Sequence, residues 1–313
     1  MARNAPGMHF RKGMSLIQLF KMFPDDEAAE KWFIHTRWPD GMACPRCGST
    51  NVNEKTTHKT MPHRCRDCRR YFSAKVGTMM ECSNLGYQIW IIAIYLWTTN
   101  LKGVSSMHLY RDLNVTQRTA WSLLHRIRDA LASDQLTLFD GIVEVDETYI
   151  GGKEGNKHAK KKLRAGRGAV GKIPIAGVKN RETKQVQALV IEKTDEDTMN
   201  AFIEGRVKKG ATVYTDGSHA YNSLDGYEHE KVIHSRGEYV RGDAWTNGIE
   251  SFWSMIKRAI MGVYHKVSKK HLWRYVAEFV ARQNMRAKDT IDQMKLIVQN
   301  FEGKRLRYCE LVA

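Results

Sequence analysis

Three acidic residues and two pairs of cysteines are the groups in this sequence whose types and spacing could do chemistry. The cysteines form Cys44-Pro-Arg-Cys47 and Cys65-Arg-Asp-Cys68, with 17 residues between the pairs. A CxxC turn sets two thiolates on one side of a tight loop, and two such loops complete a tetrahedron around one structural Zn²⁺. Two disulfides are the alternative, and a basic chain without a secretory signal argues against them. His63 is close to Cys65 and is read as a bystander, since four cysteines already fill a tetrahedron. Cys82 and Cys309 have no partner pattern and are read as buried thiols. Arg46, Arg64, Arg66, Arg69 and Arg70 crowd the knuckles, which points this module at phosphate.

The acids are Asp146 in IVEVDETYIGG, Asp216 in ATVYTDGSHAY and Glu250 in WTNGIESFWSMIKR. Each has an ordinary explanation when taken alone. Asp146 falls in a predicted strand and shares a face with Glu144 and Thr148, while Val143, Val145 and Glu147 face the other way. An acid on an edge strand would be unremarkable, but one inside a packed sheet is costly unless something cationic meets it. Asp216-Gly217 is a common turn signal. Asn247-x-x-Glu250 has the spacing of a capping box. Taken together they say more. Two strand-associated Asp and one helix-borne Glu can converge at one edge of a sheet, where three carboxylates cannot all ionise without cations. Mg²⁺ (or Mn²⁺) takes carboxylate oxygens plus water, and two such ions serve phosphodiester chemistry. Lys257 lies two turns beyond Glu250 on the same helix face.

The charge supplies a substrate. Lys and Arg number 50 against 34 Asp and Glu, a formal charge of +16 in 313 residues. A surplus of this size makes a polyanion the first partner to consider, and double-stranded DNA fits better than a membrane surface. No apolar run approaches the roughly 18 residues that a bilayer span needs, and Met1–Arg11 lacks an apolar signal core. The expectation is a cytoplasmic, nucleoid-associated protein with no membrane partner.

The elements that must position these residues divide the chain into stretches. Residues 1–80 read as N-terminal helices, broken at Pro24-Asp25, followed by the zinc ribbon. Residues 81–138 read as helical, with a helix after Ser83, a short one after Ser105 and an amphipathic one after Thr116. The last two, joined by DLNVT, have the pattern of a helix-turn-helix, with Gln117, Arg118 and Arg126 as exposed polar residues of the groove-entering helix. Residues 139–300 alternate strands (142–150, 173–179, 185–191, 212–215, 231–234) with helices (198–207, 248–260, 269–286), an α/β domain with a mixed sheet. Residues 301–313 read as a tail. The basic run 153–172 reads as a loop that clamps DNA. Leu272, Tyr275, Val276 and Phe279 recur at helical spacing and read as core.

At this point the motifs are familiar as a set. CPRCGS with CRDCRRYFS, then GTMMECS, VEVDETYIGG, YTDGSHAY, and TNGIESFWSMIKR followed by KKHLWRYVAEFVARQNMR resemble insertion-sequence transposases of the IS1595 family, including the ISXO2-like group. The resemblance covers nearly the whole chain. It implies a ribonuclease H-like catalytic domain with a DDE-type site, in which Asp146, Asp216 and Glu250 hold divalent ions. The family's third position is Asn or Glu followed by a Lys, here Glu250 and Lys257, and Asn247 is an alternative for it. The implied reaction nicks DNA at the element's terminal inverted repeats and joins the released 3′-hydroxyls to target DNA, with no covalent protein–DNA intermediate. Joining two ends implies a homodimer or higher oligomer. Two competing readings are a non-cutting DNA-binding regulator and a nuclease or resolvase on the same fold. A pure binder has no need of the complete acidic set, and a resolvase has no obvious need of the ribbon. His234, Arg241 and Trp245, just before the Glu250 helix, are candidates for positioning DNA ends, with core or surface roles equally open.

Overall fold

The computed structural model describes residues 12–132, 137–152, 154–163, 169–232 and 245–313. His234 and Arg241 lie outside the described residues. The chain forms two compact units, residues 1–132 with 285–313, and residues 133–284. The expected boundaries divide the chain differently: the ribbon and the helical region share one unit, and residues from 285 onward join it rather than closing the catalytic domain.

The first unit opens with α1 (Leu16–Met22), whose start is fixed by a capping box between Ser15 and Gln18. Pro24 ends that helix, and the Asp25 side chain accepts the Ala28 N–H to begin α2 (Asp26–Arg37). A three-stranded antiparallel sheet follows, β1 (Val52–Asn53), β2 (His63–Cys65) and β3 (Tyr71–Phe72). Met42 and Phe72 are its core, with Ile34 and Trp38 packed against them. The helix α3 (Tyr87–Thr99) is apolar around its whole circumference, and Trp90, Ile91, Ile94 and Trp97 are all buried. A helix apolar on every side belongs in a core. It packs against α2 and against α9 (Thr290–Gln299) near the other end of the chain. Ser83, expected to cap α3, does not: Gly86 precedes the helix, and the Ser83 hydroxyl accepts the Trp90 indole N–H at 3.1 Å. The helices α4 (Ser106–Leu113) and α5 (Gln117–Leu131) begin where expected, capped by Ser105 and Thr116. Asn114 ends α4 in the left-handed conformation that a tight turn requires. Arg126 is not an exposed residue of α5. It is half-buried and donates through Nη1 to the carbonyls of Met79 and Glu81. The chain ends in the short helix α10 (Tyr308–Val312).

The second unit is built on a five-stranded sheet. Its strands are β4 (Ile142–Ile150), β5 (Ile173–Asn180), β6 (Val186–Val190), β7 (Thr212–Asp216) and β8 (Glu228–Val232), in the spatial order β6-β5-β4-β7-β8. The first three run antiparallel as a meander, and β7 and β8 join parallel to β4. This is the mixed sheet expected of a ribonuclease H-like domain. One face packs Val143, Val145 and Val178 against Met199, Phe202 and Ile203 of α6 (Glu196–Glu204). The other packs Ile150, Ile175 and Val186 against α7 (Asn247–Ala259) and α8 (Leu272–Met285). The stripe of α8 is buried as expected. The strand β8 begins three residues before the expected one because its sequence, EHEKV, buries only Val232 and so carries little apolar signal.

Candidate functional site

Two sites emerge, one in each unit. In the ribbon, Cys44 Sγ lies 3.7 Å from Cys68 Sγ, and Cys47 Sγ lies 3.6 Å from Cys65 Sγ. Ligand atoms of all four fall within 4.8 Å of one another. Zn–S bonds near 2.3 Å put the thiolates of a tetrahedral site about 3.8 Å apart, so these residues fit zinc and are too distant for disulfides. The two knuckles are built alike. Cys44 N–H donates to Ser49 O at 2.8 Å, and Cys65 N–H donates to Arg70 O at 3.0 Å. Gly48 and Arg69 occupy the same place in each turn, with φ of 75° and 59°. Arg69 thus holds a conformation that glycine adopts without strain. The Cys68 N–H points at Cys65 Sγ at 3.5 Å, a backbone donor of the kind that supports a ligating sulfur. Asp67 ties the second knuckle to the first, accepting from Ser49 Oγ and from Asn51 Nδ2.

His63 stands apart from the thiols. Its Nδ1 is 2.6 Å from the Glu54 carbonyl, and its ring packs on Phe72. Cys82 and Cys309 are exposed rather than buried. Cys82 sits on a turn with φ of 58°, and Cys309 on the open side of α10.

In the second unit, strand alternation gives the acids of β4 different neighbours. Glu144 and Asp146 face α7. Glu147 faces the other way and accepts the Tyr221 hydroxyl at 2.6 Å. Asp216 ends β7 and accepts the Ser218 N–H at 3.0 Å, the turn its Asp-Gly sequence announced. Glu250 lies in the first turn of α7. The expected capping box from Asn247 does not form: Thr246 precedes the helix, and its hydroxyl donates to Glu250 Oε1 at 2.9 Å. Lys257 is exposed two turns further along.

The acids couple electrostatically. Burial, and then the carboxylates of Glu147, Asp216 and Glu250, push Asp146 up to about 8. Burial and the Asp216 carboxylate raise Glu147 as well, against the opposing Tyr221 hydrogen bond. Like charges drawn from β4, β7 and α7 therefore meet around Asp146. Such a donor set, half-buried and self-repelling, suits divalent cations. The ligand atoms are not drawn tightly together, since among the described residues the cysteines are the group gathered within 4.8 Å.

Several contacts that sequence reasoning did not identify hold α7 in place. The Trp253 indole N–H donates to Asp146 Oδ2 at 3.0 Å. It reaches that atom over Gly177, the residue opposite Asp146 on β5. A Cβ at position 177 would lie 2.5 Å from the Trp253 ring. Further along β4, buried Glu144 accepts the Ile249 N–H at 2.8 Å and Arg181 Nε at 2.9 Å. The same arginine donates to the Trp245 carbonyl and stacks on one face of its ring, centroid 4.0 Å away. Lys179 donates to the Gly248 carbonyl at 2.8 Å. The one signal for these partners was period-two alternation, which put Glu144 and Asp146 on one face.

Residues 138–284 match the ISXO2-like transposase domain, and residues 24–71 match the transposase zinc-ribbon domain. The chain is 28% identical over 291 residues to an uncharacterized protein in transposable element ISH50 of Halobacterium salinarum, over 89% of this chain and 98% of that one. Among solved structures, the HTLV-2 integrase catalytic core domain in complex with magnesium is 14% identical, over 47% of this chain and 86% of that one, with a TM-score of 0.27. A simian T-cell lymphotropic virus intasome in complex with PP2A regulatory subunit B56 gamma is also 14% identical, over 62% of this chain and 65% of that one, with a TM-score of 0.29. The two domain matches name the same family and together span more than half of the sequence, and the chain belongs to the IS1595, ISXO2-like transposases.

Proposed function

We propose that this protein binds the terminal inverted repeats of an insertion sequence as double-stranded DNA, cleaves strands there and transfers them to target DNA. The reading is carried by the placing of Asp146 against α7, where its Oδ2 accepts the Trp253 indole N–H, and where burial first, and then the carboxylates of Glu147, Asp216 and Glu250, push its carboxyl up to about 8. Asp146, Asp216 and Glu250 are the proposed ligands for two Mg²⁺ (or Mn²⁺) ions. Those ions, when bound, supply the Lewis acidity that activates the attacking oxygen and stabilises the leaving one. The chain's own residues prepare the ground. Glu144 and Arg181 fix the start of α7 and with it Glu250. Trp253 orients Asp146. Lys257, exposed on α7, is a point charge for the scissile-strand phosphate.

Supporting roles follow from charge. The ribbon's five arginines are exposed and face phosphate. Gln117, exposed at the start of α5, is a groove contact of a helix-turn-helix made by α4 and α5, and exposed Arg118 beside it meets the same DNA. Lys160, Lys161 and Lys162, exposed in the segment between β4 and β5, serve as a clamp. Joining two ends needs at least a dimer on DNA, and the protein acts at the nucleoid.

The test is Mg²⁺-dependent 3′-end nicking of a duplex that carries the element's inverted repeats, by wild type and by Asp216→Ala. Nicking by wild type alone is expected, and equal cleavage by both would sink the acid assignment.

A further inference from the structure

The first unit holds a cavity of about 310 Å³ beside the start of α5. It lies between the 82–85 turn, the face of α5 that carries Arg118, Ser122 and Arg126, and Tyr308 of α10. None of the described residues that line it is acidic. We propose that this pocket takes one unpaired nucleotide of a bound DNA strand, a proposal that rests on the DNA-binding reading above.

The lining divides the ligand's chemistry into two parts. The Arg118 guanidinium lies 4.0 Å over the Tyr308 ring. A guanidinium held flat on an aromatic ring offers its other face to a base and its N–H groups to a phosphate. Arg126 also lines the pocket. Its Nη1 is occupied by two backbone carbonyls, but its Nε is buried without a partner. That Nε has no accessible surface, so Arg126 would act on a ligand through its charge, which favours a phosphate in the pocket. The other wall is apolar, with Leu85, Leu123 and the buried Trp90. A site for phosphate alone would have no use for that wall, whereas a base has a hydrophobic body and polar edges. Ser122 and Asn84 are within the lining to meet such edges. The volume is at the lower end of small-ligand pockets, roughly 300–1,000 Å³. Enzymes that cut and join strands leave unpaired nucleotides at strand ends, and an extruded base costs least where it is already unpaired.

The experiment uses the full-length protein and a fluorescein-labelled duplex in two forms, fully paired or with one unpaired 2-aminopurine. Wild type is expected to bind the unpaired form more tightly by roughly ten-fold, the scale of stacking one base on such a platform. The 2-aminopurine emission should be quenched on binding. Tyr308→Leu should collapse the preference and relieve the quenching. Equal affinity for both duplexes with unquenched emission overturns the pocket and leaves DNA binding standing. Failure of wild type to bind either duplex overturns both. Wild-type quenching decides the matter even if Tyr308→Leu does not fold.

Discussion

Trp253 donates its indole N–H to Oδ2 of Asp146 at 3.0 Å, across the strand position that Gly177 leaves without a side chain. The contact joins α7 to β4 at the centre of the acidic site. Trp253→Phe removes the donor and shrinks the ring system that packs over Gly177, so it should cost about 1–2 kcal/mol of stability. Gly177→Ala is the harsher change, because its Cβ would meet the ring at 2.5 Å. Displacing the indole should cost about 1–3 kcal/mol by overpacking. Urea denaturation of both variants checks the order. A Gly177→Ala protein as stable as wild type would show that the indole does not need the bare strand.

The clamp at Glu144 supports a second prediction. Its carboxylate is 2% exposed and accepts from Arg181 and from the first turn of α7. Removing one partner of a buried ion pair leaves the other charge uncompensated, at about 3–5 kcal/mol. Glu144→Ala should therefore destabilise the second unit strongly, and Glu144→Gln less, because an amide oxygen can still accept the Ile249 N–H. Denaturation midpoints would check the ranking, and equal midpoints for the two variants would argue against the clamp.

Much of this architecture was legible in the sequence for identifiable reasons. The knuckles declare themselves because zinc imposes a fixed spacing. The strand β4 and helices α7 and α8 were found because both its period-two and their helical apolar patterns are strong. The role of Gly177 was hidden because cross-strand register decides which residue lies opposite Asp146, and no local pattern encodes register. Arg126 was misjudged because a polar residue on an amphipathic helix looks exposed until the 79–81 segment folds over it. The Asn247 capping pattern misled for a similar reason, since Thr246 takes the place before the helix and turns its hydroxyl to Glu250.

The raised value of Asp146 predicts a pH dependence with a definite sign. Its carboxyl titrates ordinarily at 3.8 and is pushed to about 8 in the folded chain. Folding therefore favours the protonated acid. That stabilisation is complete below the ordinary value and is lost as pH rises through about 8. Without added Mg²⁺, the Tm of wild type should fall as pH rises across this window, and Asp146→Asn should flatten the fall. Added Mg²⁺ binds the folded state and stabilises it by mass action, so its effect should be larger near pH 8 than near pH 5, where protons compete for the site. Superimposable pH profiles for wild type and Asp146→Asn without added Mg²⁺ would count against the coupling.

Zinc removal should act on the ribbon first. The sheet β1–β3 is only two or three residues per strand, and a small domain of this kind takes its folding energy from the metal. Elemental analysis should find one zinc per chain, and Cys65→Ser should lose it. A chelator should release the ribbon to proteolysis in the 40–72 region while the sheet of the second unit keeps its protection. Full zinc content in Cys65→Ser would overturn the four-thiolate site.

The ribbon's arginines make a prediction that separates contact with DNA from mere surface charge. Arg66 and Arg69 are exposed on the second knuckle, and neither supports the metal through its side chain. If both meet phosphate, the double substitution Arg66→Ala with Arg69→Ala removes two counterion-releasing contacts. The slope of log affinity against log salt should then fall in magnitude by about 0.9 per lost contact on duplex DNA. The loss should be similar for related and unrelated sequences, because phosphate contacts position the protein without reading bases. Fluorescence anisotropy at several salt concentrations measures the slope directly. An unchanged slope would place these two arginines away from the DNA and leave the helical region to carry the electrostatic contact.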